Sequence, residues 1–164
     1  MHRVTKAIVG ATMIVGLLGG SAAAAKAAVI LGAAPSGFVP VAFSDSAFIS
    51  HDVGRTVINT DPNGTHNVVA NLGVAKGAAS TPFAIRGSNS NAAVEMKCWI
   101  IQTNANTGIE VAVQAVTWAS GESGIKNFSP FSLDAVSSYT FSAFCALPAA
   151  TGTTRATLYG VWSS

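Results

Sequence analysis

Few residues in this chain could do chemistry, and their spacing argues against most of it. Seven acidic side chains, three histidines and two cysteines serve 164 residues. A glycosidase needs two carboxylates held about 5–9.5 Å apart. Glu95 and Glu110 are the best pair for that role, because each lies on a segment that alternates like a strand of one hairpin. Charges paired across the surface of a hairpin are their ordinary explanation. Zinc takes three or four ligands at workable spacings. His51-Asp52, and His66 with Asp61, are too thin a set, so no metal and no cofactor are expected. Asp61-x-Asn63-Gly64 begins like a calcium loop but lacks the further spaced oxygens and the closing Glu; a turn accounts for it. Serines abound without a Gly-x-Ser-x-Gly elbow: Ser120-Gly121-Glu122-Ser123-Gly124 has Ser where the first Gly belongs. No glycine-rich phosphate loop occurs. The chain reads as a non-enzyme.

The remaining functional signal is aromatic. Trp99 and Trp118 alternate onto faces that also carry Glu95, Lys97, Glu110 and Gln114. If those faces are solvated, two indoles are displayed beside polar groups, a pattern suited to stacking on sugar rings or anchoring a protein interface. If loops or the terminal segment cover them, the rings simply pack. Trp99, Trp118, Glu95, Glu110 and Gln114 are therefore the candidate binding residues, and a cell-surface polysaccharide or a protein is the candidate partner.

The two cysteines organise the elements that would hold those residues. Cys98 lies in Val94-Glu95-Met96-Lys97-Cys98-Trp99-Ile100-Ile101 and Cys145 in Tyr139-Thr140-Phe141-Ser142-Ala143-Phe144-Cys145-Ala146. Successive side chains of a strand point to opposite faces, so both cysteines share faces with apolar neighbours such as Met96, Ile100 and Phe141. A buried disulfide is expected, joining the two sheets or two neighbouring strands.

The N-terminus supports oxidation of that pair. Arg3 and Lys6 precede an uncharged apolar run, Ala7 to Gly20, and a small-residue patch, Ala22 to Ala28, broken by Lys26. This is the pattern of a secretory signal peptide, read here as residues 1–27. A membrane would be met only through an uncleaved signal, and the apolar run is short of the roughly 20 residues a spanning helix needs. The reading implies a secreted protein, extracellular, periplasmic or retained at the cell surface, where disulfides persist. Three of the nine Lys and Arg lie in 1–27, leaving the rest slightly acidic. Without a basic face, nucleic-acid binding is not expected.

Residues 28–37 read as a leader or a first strand, and 38–164 as a single domain. Within it, Arg55–Thr60 and His66–Leu72 flank Asp61-Pro62-Asn63-Gly64 as a hairpin. Gly73–Asn91 reads as a surface loop with one short strand near Phe83. Ala92–Thr103 and Ile109–Ala119 flank a turn at 104–108, with Ile109, Val111, Val113 and Ala115 on the apolar side of the second strand. Tyr139–Ala146 and Arg155–Trp162 follow as strands. No helical periodicity appears outside the signal, so the fold class is all-β, an antiparallel β-sandwich or alternatively a small β-barrel.

Cys98 in its alternating strand, the hairpin Ile109–Trp118, Tyr139 through Cys145-Ala146-Leu147-Pro148, and Leu158-Tyr159-Gly160-Val161 together resemble a group of small exported bacterial proteins of uncharacterised role. The resemblance covers roughly residues 66–162. It implies a β-sandwich and carries no catalytic residues. Three roles fit: a non-catalytic exported domain, structural or binding, at or outside the cell envelope; a carbohydrate-binding module; or a surface-fibre subunit whose segment 28–43 is donated as a strand.

Overall fold

The computed structural model describes residues 31–53, 55–77, 80–91 and 93–163. The signal-peptide reading of 1–27 lies outside them. Eleven strands occur among the described residues: β1 (Gly32–Ala33), β2 (Val39–Pro40), β3 (Ile49–Asp52), β4 (Thr56–Asn59), β5 (His66–Lys76), β6 (Phe83–Asn89), β7 (Met96–Asn104), β8 (Glu110–Trp118), β9 (Ser123–Asn127), β10 (Ser138–Leu147) and β11 (Ala156–Ser163). They build two antiparallel sheets. One runs β3-β4-β11-β6-β9, with β1 also paired to β11; the other runs β2-β5-β10-β7-β8. The sheets are separate and stacked, so the fold is the expected β-sandwich and not a closed barrel. Among the described residues no helix is long and apolar enough to cross a membrane.

Inward-facing residues of both sheets interdigitate as the core, as aligned sandwiches require. Phe83 of β6, Phe141 of β10 and Phe131 of the β9–β10 connection form a triangle of rings at 5.0, 5.5 and 5.8 Å between centroids. Cys98 and Cys145 are fully buried. They are direct cross-strand partners on β7 and β10, 4.1 Å apart at Cα and disulfide-bonded. Of the two arrangements expected, the bridge therefore joins neighbouring strands of one sheet.

Three sequence expectations need correction. The turn at 61–64 does not close a hairpin, because β4 and β5 belong to different sheets. Buried Asn59 makes the crossing possible: its amide donates to the carbonyls of Gly64, Leu147 and Pro148, and its Oδ1 accepts from the Asp61 N–H. Those groups would otherwise be buried without partners. Second, Gly73–Lys76 belong to β5 and Arg86–Asn89, with Gly87 among them, to β6, not to a loop. Glycine leaves room there for the opposite sheet, since a Cβ on Gly87 would lie 2.4 Å from Met96 Cε and 3.1 Å from the Trp118 ring. Third, segment 28–43 is not free to be donated: Gly32 and Ala33 pair with Trp162 and Val161, and Val39 and Pro40 pair with Val69 and Val68. Residues 28–30 lie outside the described part.

Candidate functional site

Register decides which side chains of the β7–β8 hairpin reach solvent. Met96 is opposite Trp118, Cys98 opposite Val116 and Ile100 opposite Gln114. Partners directly across an antiparallel pair share a face. Trp118 thus lies on the cysteine face, fully buried against Met96 and Gly87, its Nε1–H donating to the Gly124 carbonyl at 3.3 Å. Val111 and Val113, expected inside, are about half exposed at 50% and 45%. The face assignment of β8 is therefore the reverse of the one its alternation suggested. Both faces of β8 carry apolar residues, and pairing to β7 selects the one with the larger ring.

The other candidates scatter. Gln114 points inward and donates to the Ser129 carbonyl at 2.9 Å, while buried Gln102 donates to that of Ser132 at 2.8 Å. Together they fasten the 129–132 segment over one end of the core. Glu95 immediately precedes β7, and Glu110 pairs with Thr103 near its far end, beyond a bulge. Along a strand rising about 3.3 Å per residue they stand on the order of 25 Å apart, too far to act as a glycosidase pair.

Trp99 does reach the outer surface. It is partly exposed, with its ring edge-on to Phe144 at 5.4 Å and the Lys97 ammonium 5.3 Å from its centroid. The register extends this contact into a row. Trp99 is opposite Ala115 on β8 and Phe144 on β10; Phe144 is opposite Val69 on β5, and Val69 opposite Val39 on β2. Val39, Val69, Phe144, Trp99 and Ala115 therefore cross all five strands at right angles to them. With strands about 4.8 Å apart the row spans roughly 19 Å. The adjacent row on one side is Asn71, Ser142, Ile101 and Val113; on the other it is Asn67, Ala146, Lys97 and Thr117. The outer face of this sheet is thus an apolar stripe whose flanks mix amides, hydroxyls and one ammonium with the apolar Ile101, Val113 and Ala146. Sequence alternation pointed to Trp99, but only strand order could assemble its neighbours.

Elsewhere several titratable groups are occupied by one another or by the backbone. His66 Nε2 is 2.7 Å from Asp61 and Nδ1 3.2 Å from Asp45, and its ring stacks on Phe48 at 4.9 Å. Burial disfavours its charge, but the two carboxylates prevail and raise its pKa. When the ring is protonated, each nitrogen donates to one of the two carboxylates. Asp61 titrates low because it accepts from the Asn63 N–H and from His66. His51 Nε2 lies 2.9 Å from the Phe38 carbonyl. Glu122 is paired with Lys126 and accepts from the Ala119 N–H, closing the β8–β9 turn. Asp134 is held down to about 2 by the Tyr139 hydroxyl and the Ser137 N–H. Among the described residues no group of three side chains is arranged to hold a metal ion.

No protein-family model matches the chain, and no curated protein matches it. Solved structures similar to it include the carbohydrate-binding module CBM36 in complex with calcium and xylotriose, 18% identical over 66% of this chain and 79% of that one, with a TM-score of 0.38. Another is the CBM36-1 domain of a multidomain xylanase from the hindgut metagenome of Trinervitermes trinervoides, 9% identical over 82% and 94%, TM-score 0.46. A third is the family 32 module from C. perfringens NanJ in complex with galactose, 15% identical over 82% and 98%, TM-score 0.42. At these identities and scores the likenesses assign this chain no ligand.

Proposed function

We propose that this chain is an exported, non-catalytic binding domain that holds a polysaccharide against the outer face of its five-stranded sheet. The observation carrying this reading is the row Val39–Val69–Phe144–Trp99–Ala115, an apolar stripe whose flanking rows carry Asn67, Asn71, Lys97, Thr117 and Ser142 among the apolar Ile101, Val113 and Ala146. A sugar chain has matching chemistry: C–H faces that pack on rings and methyl groups, and hydroxyl edges that exchange hydrogen bonds with amides and hydroxyls. Such a chain would lie along the row and across the strands. One aromatic pair at its centre supplies the anchor, with Phe144 fixing the Trp99 ring edge-on. Export rests on the secretory pattern of residues 1–27 and agrees with the disulfide.

A binding screen of the mature protein against glycans and cell-wall fractions, repeated with Trp99→Ala and Phe144→Ala, tests the reading. Both variants should retain the wild-type circular dichroism and lose most of the binding. Retention confined to a protein fraction would identify a protein partner on this face instead. Binding by the wild type that survives both substitutions would refute the proposed surface.

A further inference from the structure

The opposite sheet carries a second, chemically different depression. It has a volume of about 530 Å³ and is lined by Ser50, Asp52, Thr56, Arg155, Thr157 and Tyr159, among others. A bulge in β11 aims the tyrosine. Leu158 pairs with Gly87 and Gly160 with Arg86, leaving Tyr159 as the extra residue. Gly160 adopts φ +129°, and a Cβ there would approach the Ala33 carbonyl to 3.1 Å, so this position suits glycine. The bulge resets the alternation so that Leu158 and Val161 both face the core while Tyr159 remains outside, 39% exposed. Bulges commonly re-aim a side chain in this way beside functional sites.

Charge distinguishes this depression from the stripe on the other sheet. The Arg86 guanidinium carbon lies 5.0 Å from the Tyr159 ring centroid. Arg155 lines the depression directly. Among the described residues neither arginine has a carboxylate at ion-pair distance, although Asp52 shares the depression with Arg155. Arg155 thus stands without a carboxylate partner in a depression it shares with Tyr159, His51, Asp52 and three further hydroxyls, while Arg86 stacks on the Tyr159 ring. A planar guanidinium is matched to a carboxylate through two parallel hydrogen bonds. The hydroxyls and Asp52 suit a polyol, and the exposed ring suits its C–H face.

We propose that this depression binds an acidic saccharide residue, a uronate, with Arg155 on its carboxylate and Tyr159 against its ring. The site is independent of the Trp99 stripe and lies on the other sheet.

Titration of the mature protein with a short oligogalacturonate, a neutral oligosaccharide of equal length and free galacturonate tests this by calorimetry. The oligogalacturonate should bind, more weakly as salt is raised, and the neutral chain should not compete with it. Arg155→Ala should weaken binding by about tenfold or more, and Arg155→Lys should fall between, keeping the charge but losing the fork. Free galacturonate binding with the same Arg155 dependence would support the site and assign it a single sugar residue. Equal binding of neutral and acidic chains, or an Arg155→Ala variant that binds like wild type, would overturn the proposal. Loss of the oligogalacturonate in Trp99→Ala would also overturn it, by placing that ligand on the opposite sheet. Failure of the Trp99 reading alone leaves Trp99→Ala without effect on this titration.

Discussion

Replacing each of two tryptophans by alanine should cost very different amounts, and the difference measures whether β8 faces the way its register implies. Trp118 is fully buried between the sheets. A buried aromatic ring removes roughly 150–250 Å² from water, worth about 4–6 kcal/mol at ~25 cal/mol per Å². That is an upper bound, because denatured chains are already partly collapsed. The cavity left against Met96 and Gly87 adds to the loss, and the Gly124 carbonyl loses its donor. Large-to-small changes of this kind cost about 3–5 kcal/mol, a large share of the ~5–15 kcal/mol that holds a domain folded. Trp99 loses its edge contact with Phe144, worth about 0.5–1.5 kcal/mol, and some lateral packing. Water fills the space, so no cavity forms, and about 1–2 kcal/mol is expected. Guanidinium denaturation of the wild type, Trp118→Ala and Trp99→Ala, with m-values compared to detect changes in the denatured state, gives both numbers. A Trp99→Ala loss equal to or larger than that of Trp118→Ala would refute the inward placement of Trp118 and, with it, the outer stripe.

Reducing the disulfide, or replacing Cys98 and Cys145 together by alanine, should lower stability by about 4 kcal/mol in the chain-entropy picture for partners separated by 47 positions; denaturation with and without reductant reads this. His66 has a raised pKa in the folded protein, so its contribution is complete below the unfolded value near ~6.5 and fades as pH rises through the folded value. The wild type should therefore melt at a higher temperature at mildly acidic than at alkaline pH, and His66→Gln should flatten that part of the profile. Gly87→Ala should cost about 1–3 kcal/mol by overpacking, reduced to the extent that the flexible end of Met96 moves aside; thermal unfolding measures it, and a neutral result would mean the Met96–Trp118 contact is looser than described.

Alternation located the strands of the second half because their residues are β-branched or aromatic on a two-residue period: β7, β8, β10 and β11 all lie where the sequence places them. It could not orient β8, where Val111, Val113 and Ala115 are as apolar as Ala112, Val116 and Trp118. A strand with two apolar faces takes its orientation from its partner, and the bulge at Val111 hides the phase further. The failure at β6 has a different cause. Gly87-Ser88-Asn89 has loop composition because its neighbours demand it: Gly87 leaves room for Trp118, and Asn89 donates to the carbonyls of Val94 and Trp118 where the sheet stops. The turn at 61–64 was legible as a turn, but whether its flanking strands share a sheet depends on Asn59 and the distant carbonyls of Leu147 and Pro148. The candidate surface follows the same division. Trp99 could be picked out from local pattern and Ala115 from the β7–β8 hairpin, whereas the row through Phe144, Val69 and Val39 exists only after three non-local pairings.

The position of the disulfide also sets how the domain responds to a protease. The segment between Cys98 and Cys145 contains two of the exposed turns, at 105–108 and 119–121, and such turns are preferred sites of nicking. A cut at either leaves two fragments joined covalently at the middle of the five-stranded sheet. The pieces cannot diffuse apart, and each remains at high effective concentration beside its complement. A nicked molecule would run as one species on a gel until reductant separates it, and it would keep both outer faces of the sandwich in place.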